Sequence, residues 1–154
     1  MVPLAEIKGL ALFDAMPPKL REALADESEE RTFESGELIV HQHDQARSLF
    51  VVLSGSVDFL MAVEGMDDLL VGSSAARGAL IGWSVVREPY RYTASVRCRE
   101  PCRAVRMPRA SLDRVLREDP VAGRRVLEIV AAALLDRLED ARSLLGRQAG
   151  VGSP

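Results

Sequence analysis

Between Thr32 and Pro108 the apolar residues fall in short runs, and turn-forming residues separate the runs at short intervals. Leu38, Val40 and Gln42 alternate with Ile39, His41 and His43, the period of a strand with one buried face. Leu49 to Leu53 is continuously apolar, as a strand buried on both faces must be. Val57, Phe59 and Met61 alternate with polar or small neighbours, and Asp67 to Ser73 follows a turn at Gly65. Val96, Cys98 and then Cys102 to Met107 supply the last pair of strands. Many short strands closed by frequent turns predict a β-roll or jelly-roll.

Helical patterns flank this stretch. Residues 3–27 read as helical, with Leu4, Ile7, Leu10 and Ala11 on one face. Pro17-Pro18 restarts the helix, and Asp14 is the candidate cap before it. Glu27 to Arg31 is acidic and polar and reads as a solvated connection. After Pro108, a short helix over Ala110 to Glu118 precedes Pro120, and a longer one runs from about Val121 to Leu145. In it Leu127, Ala131, Leu134, Leu138, Ala141 and Leu145 repeat at alternating spacings of four and three, a coiled-coil seam. Val126, Ile129, Val130, Ala133 and Leu135 widen the apolar surface beyond that seam. Such a helix needs two partners: the β-roll and, by expectation, the same helix of a second copy.

One segment suits an anion. Gly78-Ala-Leu-Ile-Gly82 leads into the apolar turn Trp83-Ser84-Val85-Val86, then an Arg/Tyr-rich loop, then Thr93-Ala94. Glycines let the backbone approach a phosphate, amide groups at the start of a helical turn point at it, and a guanidinium closes the site.

This layout resembles the phosphate-binding cassette of the cyclic-nucleotide-binding domain family. The resemblance extends upstream. Gly36-Glu37 opens an early strand, Asp44 and Ala46 sit in the next turn, Leu49-Phe50 begin a buried strand ending at Gly55, and Leu12-Phe13 with Met16 match the family's N-terminal helical motif. It implies an α+β, mainly β fold: a double-stranded β-helix or jelly-roll of about eight antiparallel strands, with N-terminal helices, a short cassette helix and C-terminal helices. The expected organisation is one domain over 1–146, with N-terminal helices over 1–31, the roll over 32–108, C-terminal helices over 109–146 and a flexible tail over 147–154. The ligand contacts carried over by the resemblance are Gly82, Trp83, Ser84, Val85, Arg91, Tyr92, Thr93 and Ala94, and the ligand they imply is a cyclic nucleotide, cAMP or cGMP.

The cassette departs from the family pattern in two charged positions. Where the family has a Glu that grips the ribose hydroxyl, this chain has Trp83. Where the family has the Arg that pairs with the cyclic phosphate, it has Tyr92, with Arg91 one residue earlier. The loop is also about one residue shorter, and His43 stands where a glycine is usual. Losing an Arg–phosphate contact costs roughly 2–5 kcal/mol when nothing replaces it. In a regular strand Arg91 and Tyr92 point to opposite sides, so Arg91 takes the role only if the register shifts.

Other features bound the function. At 154 residues and a net charge of −3, the chain has room for a core but no basic nucleic-acid surface. No segment reads as a helix–turn–helix after the long helix, no run spans a bilayer and the start is not a secretory signal, so no nucleic acid or membrane partner is expected and the cytoplasm is the expected address. Cys98 and Cys102 flank a turn and read as small buried hydrophobes; His41 and His43 lack a third metal ligand. A haem or redox role for these four is the weakest reading. With no catalytic constellation, a non-enzyme is expected that requires no cofactor. Two readings stay open: a standalone regulatory sensor that binds a cyclic nucleotide weakly or another small ligand, and a ligand-free dimerisation or protein-docking module whose pocket its own aromatics fill.

Overall fold

The computed structural model describes residues 1–148. Three short helices open the chain, α1 (Leu4–Ile7), α2 (Ala11–Asp14) and α3 (Pro18–Glu27). Eight strands follow: β1 (Glu29–Phe33), β2 (Leu38–Val40), β3 (Ser48–Ser54), β4 (Val57–Met61), β5 (Leu69–Ser74), β6 (Leu80–Ile81), β7 (Ser95–Cys98) and β8 (Cys102–Pro108). A 3₁₀ turn over Trp83–Val86 sits between β6 and β7. Helices α4 (Arg109–Glu118) and α5 (Pro120–Gln148) close the described chain.

The strands form two four-stranded antiparallel sheets, ordered β1-β8-β3-β6 and β2-β7-β4-β5. This is the expected jelly-roll. Strand β3 is flanked by β8 and β6 and is buried from Ser48 to Leu53, which explains its unbroken apolar sequence. At Gly55 the chain turns from β3 into β4 with φ of +97°; a Cβ there would lie 2.7 Å from Cys102 Sγ, so only glycine fits. Phe13, Leu49, Val57, Ile81, Val105, Met107, Leu112 and Val126 lie among the fully buried residues of one continuous core. Burying side chains of this kind contributes about 1.5–3 kcal/mol each.

Several local expectations are corrected. Glu29–Arg31 is not a solvated connection but the start of β1, paired with β8 from Glu29↔Arg106 to Phe33↔Cys102, so the roll begins ahead of residue 32. Its polar sequence is that of an edge strand, tied by Glu29–Arg106 at 2.8 Å and Glu30–Arg103 at 2.6 Å. Leu10 and Ile7 are buried, but Leu4 and Ala11 are exposed, because Gly9 breaks the first helical stretch in two. Asp14 ends α2 and makes no cap for α3, which starts from Pro17. β2 stops at Val40, and both histidines are exposed outside it. His43 holds φ of +74°, the left-handed conformation that the glycine it replaces would supply. Cys98 and Cys102 are buried free thiols, as expected.

Helix α5 spans 29 residues, about 43 Å at 1.5 Å per residue. Ala122, Val126 and Val130 are buried in the core, with Ile129 and Ala133 partly buried against it. The helix continues through Arg147 and Gln148, the first two residues of the expected tail; the rest of that expectation, at 149–154, lies outside the described residues. Among the described residues no helix is long and apolar enough to cross a membrane.

Candidate functional site

The cassette is built around Gly82. With φ of +86° it turns the chain out of β6 and into the 3₁₀ turn. A Cβ at this position would meet Tyr92 Cε1 at 2.8 Å and Ser48 O at 2.9 Å. The Tyr92 ring therefore lies directly against the glycine turn. Tyr92 is buried, and its hydroxyl donates to Ser48 O at 2.7 Å. Burial pushes the Tyr92 phenol above its ordinary value, so it stays a neutral donor.

Backbone hydrogen bonds fix the loop that carries it. His43 N donates to Tyr92 O at 2.9 Å, Tyr92 N to Asp44 O at 3.0 Å and Ala46 N to Tyr90 O at 2.5 Å. In this ladder Arg91 faces the opposite way from Tyr92. It is exposed, and its Nη1 donates to His43 O at 3.0 Å. Next to it, Arg109 lies over the Tyr90 ring at 4.1 Å.

The sequence-derived candidates thus separate. Gly82, Trp83, Ser84, Tyr92, Thr93 and Ala94 line one cavity together with Val40, Phe59 and Val96. Val85 is fully buried in the core instead, and Arg91 is not among the lining residues. The cavity measures about 10 Å³. That is room for at most a single water, which needs about 10–15 Å³.

Trp83 belongs to a second arrangement. Its indole stacks on Phe59 with ring centroids 5.9 Å apart and planes 26° from parallel. The Arg137 guanidinium of α5 covers the Phe59 ring at 4.7 Å, donates to Ser73 O at 3.0 Å and pairs with Asp140 at 3.2 Å. Through Phe59 these contacts join the cassette turn to α5. Beside it, between the roll and α5, lies a larger cavity of about 310 Å³. Phe59 and Trp83 form its common wall with the small cavity, and Arg77, Asp136 and Arg137 bring charge to it. Sequence reasoning missed this space. Phe59 reads as an ordinary strand residue, and nothing in the linear pattern brings Arg77 and Arg137 together.

The comparisons agree with the geometry. The family profile "Cyclic nucleotide-binding domain" matches residues 30–119, more than half of the chain. The chain belongs to the cyclic nucleotide-binding domain family. A protein from Geobacter metallireducens GS-15 described as cyclic nucleotide-binding is 28% identical, with a TM-score of 0.77 over 90% of this chain and 99% of that one. The sensor domain of the transcriptional regulator DNR from Pseudomonas aeruginosa shares the fold at 15% identity, with a TM-score of 0.73 over 88% of this chain and 90% of that one. The regulatory domain of Toxoplasma gondii PKA, solved with cAMP, shares it at 22% identity, with a TM-score of 0.69 over 83% of this chain and 48% of that one. No curated protein sequence matched the chain. The fold is that of the cyclic nucleotide-binding domain.

Proposed function

We propose that the protein is a non-catalytic regulatory module whose phosphate cassette is held shut by its own aromatic side chains, and that binds cyclic nucleotides weakly at best. The observation that carries this reading is Tyr92 packed against Gly82 and bonded to Ser48 O at 2.7 Å, with about 10 Å³ left beside it. A cyclic phosphate entering here must displace a buried ring and break its hydrogen bond, and among the described residues no guanidinium lines the cavity. Trp83 adds an apolar face where the ribose needs an acceptor.

Thermal unfolding with 1 mM cAMP or cGMP tests the reading. For a dissociation constant at or above the ligand concentration, the shift stays below about 2 °C at this chain length. The double variant Trp83→Glu/Tyr92→Arg restores both family charges and gains a shift of about 5 °C or more. A wild-type shift of that larger size, abolished by Arg91→Ala, overturns the closed cassette.

The second element of the proposal is self-association through α5. Leu127, Leu134, Leu138 and Leu145 of the seam are each 41–58% exposed, whereas Val126 and Val130 on the neighbouring face are buried. A second copy of the same helix would cover this stripe with matching knobs and holes. The expected result is a homodimer by sedimentation equilibrium that Leu138→Glu converts to monomer; a monomeric wild type at about 100 µM excludes it.

A further inference from the structure

We infer that the end of the β4–β5 hairpin is a docking surface for a basic amphipathic segment of another protein. This surface shares no residue with the cassette or with the leucine stripe of α5, so it stands whether or not the cassette is closed and the helix self-associates.

Local sequence builds the hairpin end. β4 runs into β5 with Met61 opposite Leu69. Between them Met66 N donates to Val63 O at 3.1 Å, and Gly65, the third residue of that turn, holds φ of +76°, the sign that a type II turn requires there. At the base, Ala62 N donates to Oε1 of the buried Gln42 at 2.7 Å. The end is thus held in shape before a partner arrives, which lowers the ordering cost of association.

Two properties of residues 61–70 select the partner. The first is apolar exposure. Met61, Val63, Met66 and Leu70 are 39%, 38%, 69% and 38% exposed. Single exposed apolar side chains are ordinary on a protein surface, but four within one hairpin are a cluster. Among the described residues, the large apolar side chains exposed outside this hairpin and α5 are only Met1, Leu4 and Leu38. Two of the four are methionines, whose unbranched side chains adapt to an apolar partner.

The second property is charge. Glu64, Asp67 and Asp68 are exposed, and none of them makes an ion pair among the described residues. Residues 61–70 contain no Lys or Arg. Their three carboxylates equal the net charge of −3 of the whole chain, so the other 20 Asp and Glu are balanced by the 20 Lys and Arg. An apolar cluster that carries only negative charge complements apolar side chains flanked by Lys or Arg. The same charges repel an acidic segment and the anionic surface of a bilayer.

The test uses the full chain and a fluorescein-labelled peptide of about 14 residues, with Leu on one helical face and Lys elsewhere, read by anisotropy. The control peptide has Glu at every Lys position. The expected result is saturable micromolar binding of the Lys peptide, at least tenfold weaker binding of the Glu peptide, and weakening of the former between about 50 mM and about 300 mM NaCl. Met61→Gln/Met66→Gln and Glu64→Gln/Asp67→Asn/Asp68→Asn each lower the affinity at least tenfold; these positions are exposed, and circular dichroism checks that the variants fold. Glu22→Gln/Asp26→Asn/Glu118→Gln changes the net charge equally at exposed carboxylates elsewhere and leaves binding unaltered. Equal affinity for the two peptides, unaltered binding in the folded hairpin variants, or an equal loss in the remote charge variant overturns the assignment. Binding that Leu138→Glu abolishes and the hairpin variants retain moves the site to α5 and overturns it as well. If the wild type is a dimer and Met61→Gln/Met66→Gln makes it monomeric in sedimentation equilibrium, the occupant is a second copy of this chain, and the basic partner is refuted.

Discussion

Two cavities share one wall in this protein and have opposite characters. On the cassette side of Trp83 and Phe59 about 10 Å³ is empty; on the α5 side, about 310 Å³. The first lies at the glycine turn, with Gly82 at φ of +86° followed by the 3₁₀ turn. The second has no counterpart in the sequence motif, yet Arg77, Asp136 and Arg137 line it. Backbone conformation and ligand chemistry are therefore separable. A glycine turn survives because the chain path needs it, whether or not the side chains around it still bind an anion. In this chain the turn has become a packing socket for Tyr92.

The largest effects test that socket. Tyr92→Ala removes a buried ring and is expected to cost about 3–5 kcal/mol in denaturant unfolding. A loss below about 1 kcal/mol would mean the ring is not a packing element. Gly82→Ala forces a Cβ to within 2.8 Å of that ring at a left-handed φ, and about 2–3 kcal/mol of destabilisation is expected. The two are coupled: in a Tyr92→Ala background the steric part of the Gly82→Ala cost disappears, leaving the backbone strain. A double-mutant cycle that is additive within about 0.5 kcal/mol would contradict the contact. Tyr92→Phe isolates the hydroxyl. It leaves Ser48 O without its 2.7 Å donor, for an expected loss of about 1–2 kcal/mol.

How much of this the sequence could reveal follows from the same separation. The β-roll was legible because period-two alternation and turn residues are local signals, and the continuous run in β3 announces burial on both faces. β1 was not. Glu29, Glu30 and Arg31 read as solvent-exposed, and only their long-range pairing with β8 makes them a strand. The opposed directions of Arg91 and Tyr92 were legible from strand geometry, and the loop ladder fixes them so. Where Tyr92 packs was not, because Gly82 and Ser48 reach it only through the fold. The seam of α5 was legible as a repeat, but the cavity beneath the helix depends on how Ala132 and Ala133, both small, face the Gly78 loop.

On the α5 side the effects are smaller, because the groups are half-exposed. Arg137→Met keeps the aliphatic stem but removes the guanidinium over Phe59 and the bond to Ser73 O. About 1 kcal/mol is expected, with a red shift in Trp83 emission as Phe59 loses its cover. An unchanged emission spectrum would show that the stack does not transmit from α5 to Trp83.

The smallest effect lies away from both cavities and serves as their control. Glu27 at the end of α3 pairs with Arg114 of α4 at 2.5 Å. The hydrogen bond from Arg114, helped by Ser111, holds the Glu27 carboxyl below its ordinary value against the opposing effect of burial. A depressed carboxylate stabilises the fold fully above the unfolded-state value, and that contribution is lost as the pH falls through the folded-state value. Because the pair is substantially exposed, the contribution is under about 1 kcal/mol. Comparing wild type with Glu27→Gln between pH 7 and pH 3 should show the gap closing on acidification, while the Trp83 spectrum of the two stays the same. A gap that widens toward acid would reverse the sign and refute the pairing. A change in Trp83 emission would show that the α3–α4 contact is coupled to the cavity wall, and that the two sides of the molecule are less independent than their geometry indicates.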